Sequence, residues 1–221
     1  MIMHRTVQNL NVIKKFIISH LEDQSINKIP KIIAVSKTFS MEKILPLIEY
    51  GHIDFGENKV QEAIDKWTVI KQKNPNIKIH MIGKLQTNKV KFAVKLFDYI
   101  HSVDNEKLAQ KISDEQSKIN KKIKIFIQVN IGDEDQKSGI SKNKVFDLLS
   151  LCKKINLEVI GLMCIPPANV DSSKYFKEMN LLNHELQLSE LSMGMSSDYL
   201  KASENFSTFL RIGSSIFGQR Y

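Results

Sequence analysis

Segments patterned as strands alternate with segments patterned as helices from one end of this chain to the other, and no stretch consists of strands alone or helices alone. An amphipathic opening helix is expected over residues 6–22, with Val7, Leu10, Ile13, Ile17 and Leu21 on one face. After Pro30 the strand–helix alternation begins. KIIAVSK, HIDFG, IKIHMIG, YIHSV, KIKIFIQVN, LEVIGLMCI, ELSMG and TFLRIGSSIFG read as strands, the last of them running into a turn. MEKILPLIEYG, ENKVQEAIDKWTVIKQK, QTNKVKFAVKLF, NEKLAQKISDEQSKI, KNKVFDLLSLCKK, DSSKYFKEMNLLNHELQ and SSDYLKASENF read as the helices between them. Glu57 starts the second of these helices, and Asp104 is the expected N-cap of the fourth.

Alternation of this kind makes a parallel sheet with helical crossovers. Eight strand segments point to closure as a single (β/α)8 TIM-type barrel with an additional N-terminal helix, an open doubly wound sheet being the alternative. At 221 residues the loops must be short, and residues 1–221 are expected to form one domain.

Composition narrows the function classes. Hydrophobic residues make up 42% and charged residues 25%, as in an ordinary soluble protein, and no window approaches the ~20 apolar residues of a membrane span. The N-terminus lacks the apolar core and small-residue cleavage site of a secretory signal, so a cytoplasmic protein is expected, with no membrane partner. Cys152 and Cys164 have no metal-ligand or redox spacing and read as free thiols in packed elements. The net charge of +8 comes from lysines spread along the chain without interleaved aromatics, so no nucleic-acid partner is expected. Arginine occurs only at Arg5, Arg211 and Arg220, which marks positions where a planar, permanently charged fork is needed.

Barrel chemistry sits at the C-terminal ends of the strands. There this chain carries Ser36 and Lys37, then Gly56, Glu57 and Asn58, with His101 and Ser102, Asn130 and Met163 on later strands. Strand alternation puts Lys37 on the face of Ile33 and Val35. An amine partly desolvated at a barrel mouth is neutral more of the time and condenses with aldehydes; a lysine that simply reaches solvent is the competing reading. Gly194–Asp198 and Gly213–Ser215 are small polar turns after strands seven and eight, where barrels commonly hold a phosphate on backbone N–H groups. Ordinary helix capping by Ser196 or Ser197 is the alternative for the first turn. An amine and two phosphate turns together match the aldehyde and phosphate ends of pyridoxal 5′-phosphate (PLP).

The blocks IIAVSKT, DFGENKVQEA, HMIGKLQTNKVK, IHSVDNEKLA, QVNIGDEDQKSGI, GLMCIPP, LSMGMSSDY and RIGSSIFGQR, spread over residues 31–220, resemble those of the PLP homeostasis proteins, also called proline synthase co-transcribed homologues. The resemblance implies an alanine-racemase-N-terminal-like barrel and a role in intracellular vitamin B6 homeostasis. It implies that Lys37 carries the cofactor as a Schiff base, that Asn58 lies beside the ring, that Ser196, Ser197, Gly213 and Ser214 take the phosphate, and that Arg211 faces the pyridine nitrogen. The chain departs from the family at Lys84, usually His, and near Phe206, usually Gly. Lys137 falls in another shared block, and a secondary cofactor contact there stays open.

An arginine at the ring nitrogen opposes its protonation and weakens the cofactor as an electron sink. The sequence also stops just after the last barrel segment, with no second domain expected to bring a base to the other ring face. The expectation is therefore a non-catalytic carrier of PLP, with PLP-dependent enzymes as recipients. A minor amino-acid racemase using Lys37 as base is the alternative.

Overall fold

The computed structural model describes residues 3–134 and 136–219; Arg220 lies outside them. Eight parallel strands close into a barrel in sequence order. They are β1 (Lys31–Val35), β2 (Asp54–Glu57), β3 (Lys78–Met81), β4 (Tyr99–Val103), β5 (Lys124–Val129), β6 (Glu158–Cys164), β7 (Glu190–Ser192) and β8 (Phe209–Ile212). Lys31 to Ala34 pair with Phe209 to Ile212, which joins the first strand to the last and rules out the open sheet.

Helices follow the strands on the outside. After β1, β2, β3 and β4 come α2 (Met41–Glu49), α3 (Val60–Lys73), α4 (Val90–Leu96) and α5 (Glu106–Lys118). After β5, β6, β7 and β8 come α6 (Val145–Lys154), α7 (Ser173–Glu185), α8 (Tyr199–Glu204) and α9 (Ser214–Phe217). The expected leading helix is α1 (Arg5–Asp23). It buries Val7, Leu10, Ile13, Ile17 and Leu21 along one stripe, as their spacing requires. It packs on α2, α8 and α9, and Asn9 Nδ2 donates to the Ile216 carbonyl at 2.9 Å. The leading helix thus braces the short helix that begins at Ser214.

Apolar burial falls in two layers. The large one lies between strands and helices and includes Phe55, Trp67, Phe97 and Phe176, all fully buried. The small one, Ile33, Tyr99, Phe126, Met163 and Phe209, fills the barrel interior beside buried His80, His101 and Ser192. Cys152 and Cys164 are buried free thiols, as expected.

Three local expectations are corrected. Glu57 ends β2 instead of starting α3; it is fully buried, and the helix waits until Val60. Asn105, not Asp104, caps α5: its backbone is extended and its side chain accepts from Leu108 N at 2.9 Å, while Asp104 reaches across to Gly139 N. The segment after β8 is not only a turn, since Ser214–Phe217 form one helical turn opened by Gly213.

Phe206 occupies a position whose backbone favours glycine. It follows the C-cap of α8 with φ +64°, donating to Ser203 O at 3.1 Å while Ser207 N reaches Ala202 O at 3.0 Å. This is the Schellman arrangement, whose left-handed position favours glycine. An exposed phenylalanine there holds backbone strain without packing in return. Phe206→Gly is expected to raise stability by about 1 kcal/mol, or about 2–4 °C in Tm. A melting point unchanged or lowered in a thermal scan counts against this account.

Candidate functional site

The turn after β1 is held from behind. Ser36 N donates to Gly56 O at 3.0 Å and Ser36 Oγ donates to Glu57 Oε1 at 2.8 Å. Trp67 Nε1 donates to the same oxygen at 3.0 Å. Lys66 Nζ, reaching from α3, donates to Ser36 O at 2.9 Å, Glu62 Oε1 at 2.6 Å and Glu57 Oε1 at 3.3 Å. Burial pushes the Glu57 carboxyl above its ordinary range, and the Trp67, Lys66 and Ser36 contacts only partly offset it. Thr38 has φ +68° and donates its N–H to Glu62 Oε1 at 2.5 Å. A β-branched residue in the left-handed region is costly, and here it lies next to Lys37, where the surrounding bonds hold it. Sequence reading missed this support because Glu57, Glu62 and Lys66 look like the polar face of a helix.

Lys37 is half-buried. It lines a cavity of about 330 Å³ together with Asn58, Ser196, Ser197, Arg211, Gly213 and Ser214. All the residues singled out from the sequence as candidate ligands therefore meet in one place. Val35, Ile82, Ile165 and Met195 supply apolar walls, and of these only Val35 was marked by strand alternation. The volume lies in the range of small-molecule sites, and a few polar groups in an apolar lining are their usual makeup.

The loop after β7 is built by glycine and aspartate. Gly194 has φ +91°, and a Cβ there would lie 2.5 Å from that of Ala202, so α8 can approach only because this residue has no side chain. Its carbonyl accepts from Arg211 N at 3.0 Å. Asp198, not a serine, is the N-cap residue of α8, and its Oδ1 accepts from Met195 N at 2.7 Å. The capping alternative for Ser196 and Ser197 therefore fails. Ser196 Oγ instead accepts from Ser215 N at 3.3 Å, which ties this loop to the first turn of α9. At Gly213 a Cβ would meet the Val35 side chain at 3.3 Å, so the two loops and the end of β1 are in close contact.

Arg211 is almost fully buried. Nη1 donates to Ser192 Oγ at 2.7 Å and Nη2 to Cys164 O at 2.8 Å. No ion pair among the described residues includes it. Burial lowers its proton affinity somewhat. Ser192 continues inward: its Oγ is 2.8 Å from His101 Nδ1, His101 Nε2 is 3.0 Å from His80 Nδ1, and His80 Nε2 is 3.0 Å from Asp54 Oδ1. Two histidines among apolar strand residues, both on the inward face, were the available signal for this string.

Two other lysines stand apart. Lys84 is exposed and lines a neighbouring cavity with Asn58, Lys59 and Lys89. Lys137 pairs with Glu134 Oε2 at 2.6 Å and donates to Pro166 O at 3.2 Å, outside the lining of the Lys37 cavity. Among the described residues no cluster is suited to a metal ion, and no helix is long and apolar enough to cross a membrane.

A closed barrel with a lysine at the end of β1 and small polar loops after β7 and β8 defines the class of the alanine racemase N-terminal domain, whose family profile matches residues 18–221. Within it the chain belongs to the pyridoxal phosphate homeostasis protein family. The protein of that name from Pasteurella multocida is 38% identical over 201 residues, 86% of each chain. Its counterpart from Vibrio alginolyticus is 37% identical over 214 residues, 90% of this chain and 91% of that one. Among solved structures, PipY of Synechococcus elongatus with PLP bound is 32% identical, with a TM-score of 0.81 over 91% of this chain and all of the other. Alanine racemase from Clostridium difficile, at 14% identity and a TM-score of 0.70, shares the fold; the match spans 93% of this chain and 56% of the enzyme.

Proposed function

We propose that this chain binds PLP in the Lys37 cavity, with Lys37 Nζ as the point of covalent attachment to the aldehyde carbon, and serves intracellular PLP homeostasis as a carrier. The donor set fits the cofactor. Lys37 supplies the amine, and Ser196, Ser197 and Ser214 with the backbone around Gly213 supply hydrogen-bond donors for the phosphate. Asn58 and Arg211 line the same cavity and would lie at the side of the ring and at its pyridine nitrogen, with the apolar walls against its faces. The name of the Pasteurella relative and the PLP bound to PipY support the same cofactor.

The observation that carries the non-catalytic reading is the lining itself. Lys37 and Arg211 are the titratable side chains that line the cavity among the described residues. Racemisation needs a proton removed from one face of Cα and returned on the other, and the described lining offers no second acid–base group besides Lys37. When bound, PLP supplies electron withdrawal through its ring, and the positive Arg211 opposes the ring protonation that would strengthen it. With PLP bound, an incoming amine would take over the imine to the aldehyde carbon as Lys37 Nζ leaves as a free amine, and the cofactor could then pass toward PLP-dependent enzymes.

The test pairs PLP with pyridoxal, which lacks the phosphate. After gel filtration the protein is expected to stay yellow with PLP and to lose pyridoxal. Alanine deuterated at Cα is expected to keep its label. Failure to retain PLP ends the binding proposal. Label loss at ordinary enzyme rates, about 1–10³ s⁻¹, ends the carrier reading in favour of a racemase.

A further inference from the structure

The polar string behind Arg211 crosses the barrel interior. Asp54 sits at the start of β2, His80 on β3, His101 on β4, Ser192 on β7 and Arg211 on β8. His80, His101 and Ser192 are fully buried. Stacking fixes the ring planes: His80 lies on Tyr99 with centroids 4.3 Å apart, and His101 lies on Phe126 at 4.2 Å. The Phe209 ring stands nearly perpendicular to His101, with centroids 6.1 Å apart.

The two ends of the string each have a single hydrogen-bonding role. A guanidinium only donates, and an ionised carboxylate only accepts. Burial works against the Asp54 charge, but the bond from His80 and the neighbouring positive groups outweigh it and hold the carboxyl below its ordinary range. With the ends set and both imidazoles neutral, one proton arrangement satisfies every contact. Arg211 Nη1–H donates to Ser192 Oγ, and Ser192 O–H donates to His101 Nδ1. His101 Nε2–H donates to His80 Nδ1, and His80 Nε2–H donates to Asp54 Oδ1. Both imidazoles then carry their proton on Nε2. A second proton on His80 would set an N–H against the N–H of His101 and force the string to reverse.

We propose that His80, His101 and Ser192 are positioning residues for Arg211: a one-way hydrogen-bonded chain anchored on Asp54 holds the guanidinium in the orientation it presents to the cavity. The anchor lies at the opposite end of the barrel, in the wall of a separate cavity of about 320 Å³ shared with Lys14, Lys31 and His52. Residues that touch no cofactor thus set the charge environment at the ring nitrogen. That last consequence, and only that one, rests on the PLP reading above. Burial lowers the proton affinity of both imidazoles, and for His101 the Arg211 charge, and any proton on His80, act in the same direction. The other charged groups acting on His80 are Asp54 and Asp98, which favour its protonation, and Lys31, which opposes it.

The test begins on the cofactor-free full chain. Nitrogen-15 spectra of labelled histidine are expected to show both His80 and His101 as neutral Nε2–H tautomers that do not titrate between about pH 5 and 8. A proton on Nδ1 of either ring, or an imidazolium at neutral pH, overturns the chain and needs no variant to be seen. In the same protein the Arg211 Nη signals are expected to be separate, to exchange faster in Ser192→Ala, where only the bond to Cys164 O remains, and to slow again in Ser192→Thr, which keeps the hydroxyl. An Nη exchange rate unchanged in Ser192→Ala overturns the positioning role. With nitrogen-15 PLP bound, the ring-nitrogen shift is expected to move in Ser192→Ala and return in Ser192→Thr. An unmoved shift ends the link to the cofactor. If wild type takes up no PLP, the PLP reading fails while the tautomer and guanidinium results still decide the chain.

Discussion

Lys37→Ala is expected to abolish the borohydride-fixed adduct between the protein and PLP, while wild-type protein carries it on the peptide containing Lys37. Position singles this residue out from the other lysines. It ends the run of β1 that places Ile33 in the barrel interior and Val35 in the cavity wall, and it is half-buried in the same wall. Lys66, the lysine packed behind it, is tied to Ser36, Glu57 and Glu62. Lys84 and Lys137 line other surfaces. The turn that presents Lys37 is held by its own backbone and by Glu57 and Glu62, so alanine removes the amine without dismantling the support. Weaker, non-covalent uptake of PLP through Ser196, Ser197 and Ser214 should survive in the variant and be lost on dilution. Peptide mapping of the reduced protein decides the matter. An undiminished adduct in Lys37→Ala, or one mapped to Lys84 or Lys137 in wild type, would move the site elsewhere.

What could be read from residue order alone follows from period and position. The alternation of strand and helix patterns led to the barrel, and β1–β8 pairing closes it. Lys37 and the turns holding Ser196, Ser197, Gly213 and Ser214 were legible because strand ends and small polar turns are local signals, whereas Asn58 and Arg211 came from the family resemblance, and all of them line one cavity. The rest depends on contacts between distant residues. Glu57 has the polarity of a helix start, yet Ser36, Trp67 and Lys66 make it a buried strand end. Ser196 looked like a cap, but its partner is Ser215 on the next loop. His80 and His101 are 21 positions apart, and nothing local says that their rings meet. Asn105 displaced Asp104 as a cap by one residue, a choice set by backbone angles that composition does not reveal.

Arg211→Asp is expected to raise the proton affinity of the ring nitrogen of bound PLP by several pKa units and to make Cα–deuterium exchange of alanine faster than in wild type. The sign follows from charge. A guanidinium beside the nitrogen disfavours its protonated form, and a carboxylate favours it. One unit charge at 4 Å in a protein of effective dielectric near 20 is worth about 4 kcal/mol, or about 3 pKa units, and the exchange swaps one sign for the other. A cost accompanies it. Arg211 serves Ser192 Oγ and Cys164 O, and losing the donor to that buried carbonyl removes about 1–3 kcal/mol of stability. Arg211→Gln keeps a donor and carries no charge, so it separates the two effects: the destabilisation should shrink and the ring nitrogen should fall between wild type and Arg211→Asp. Equal borohydride-fixed occupancy on Lys37 in the three proteins ensures that like is compared with like. The nitrogen-15 shift of the labelled ring then reports protonation directly. If it is the same in all three, Arg211 does not face the nitrogen, and its charge gives no support to the carrier reading.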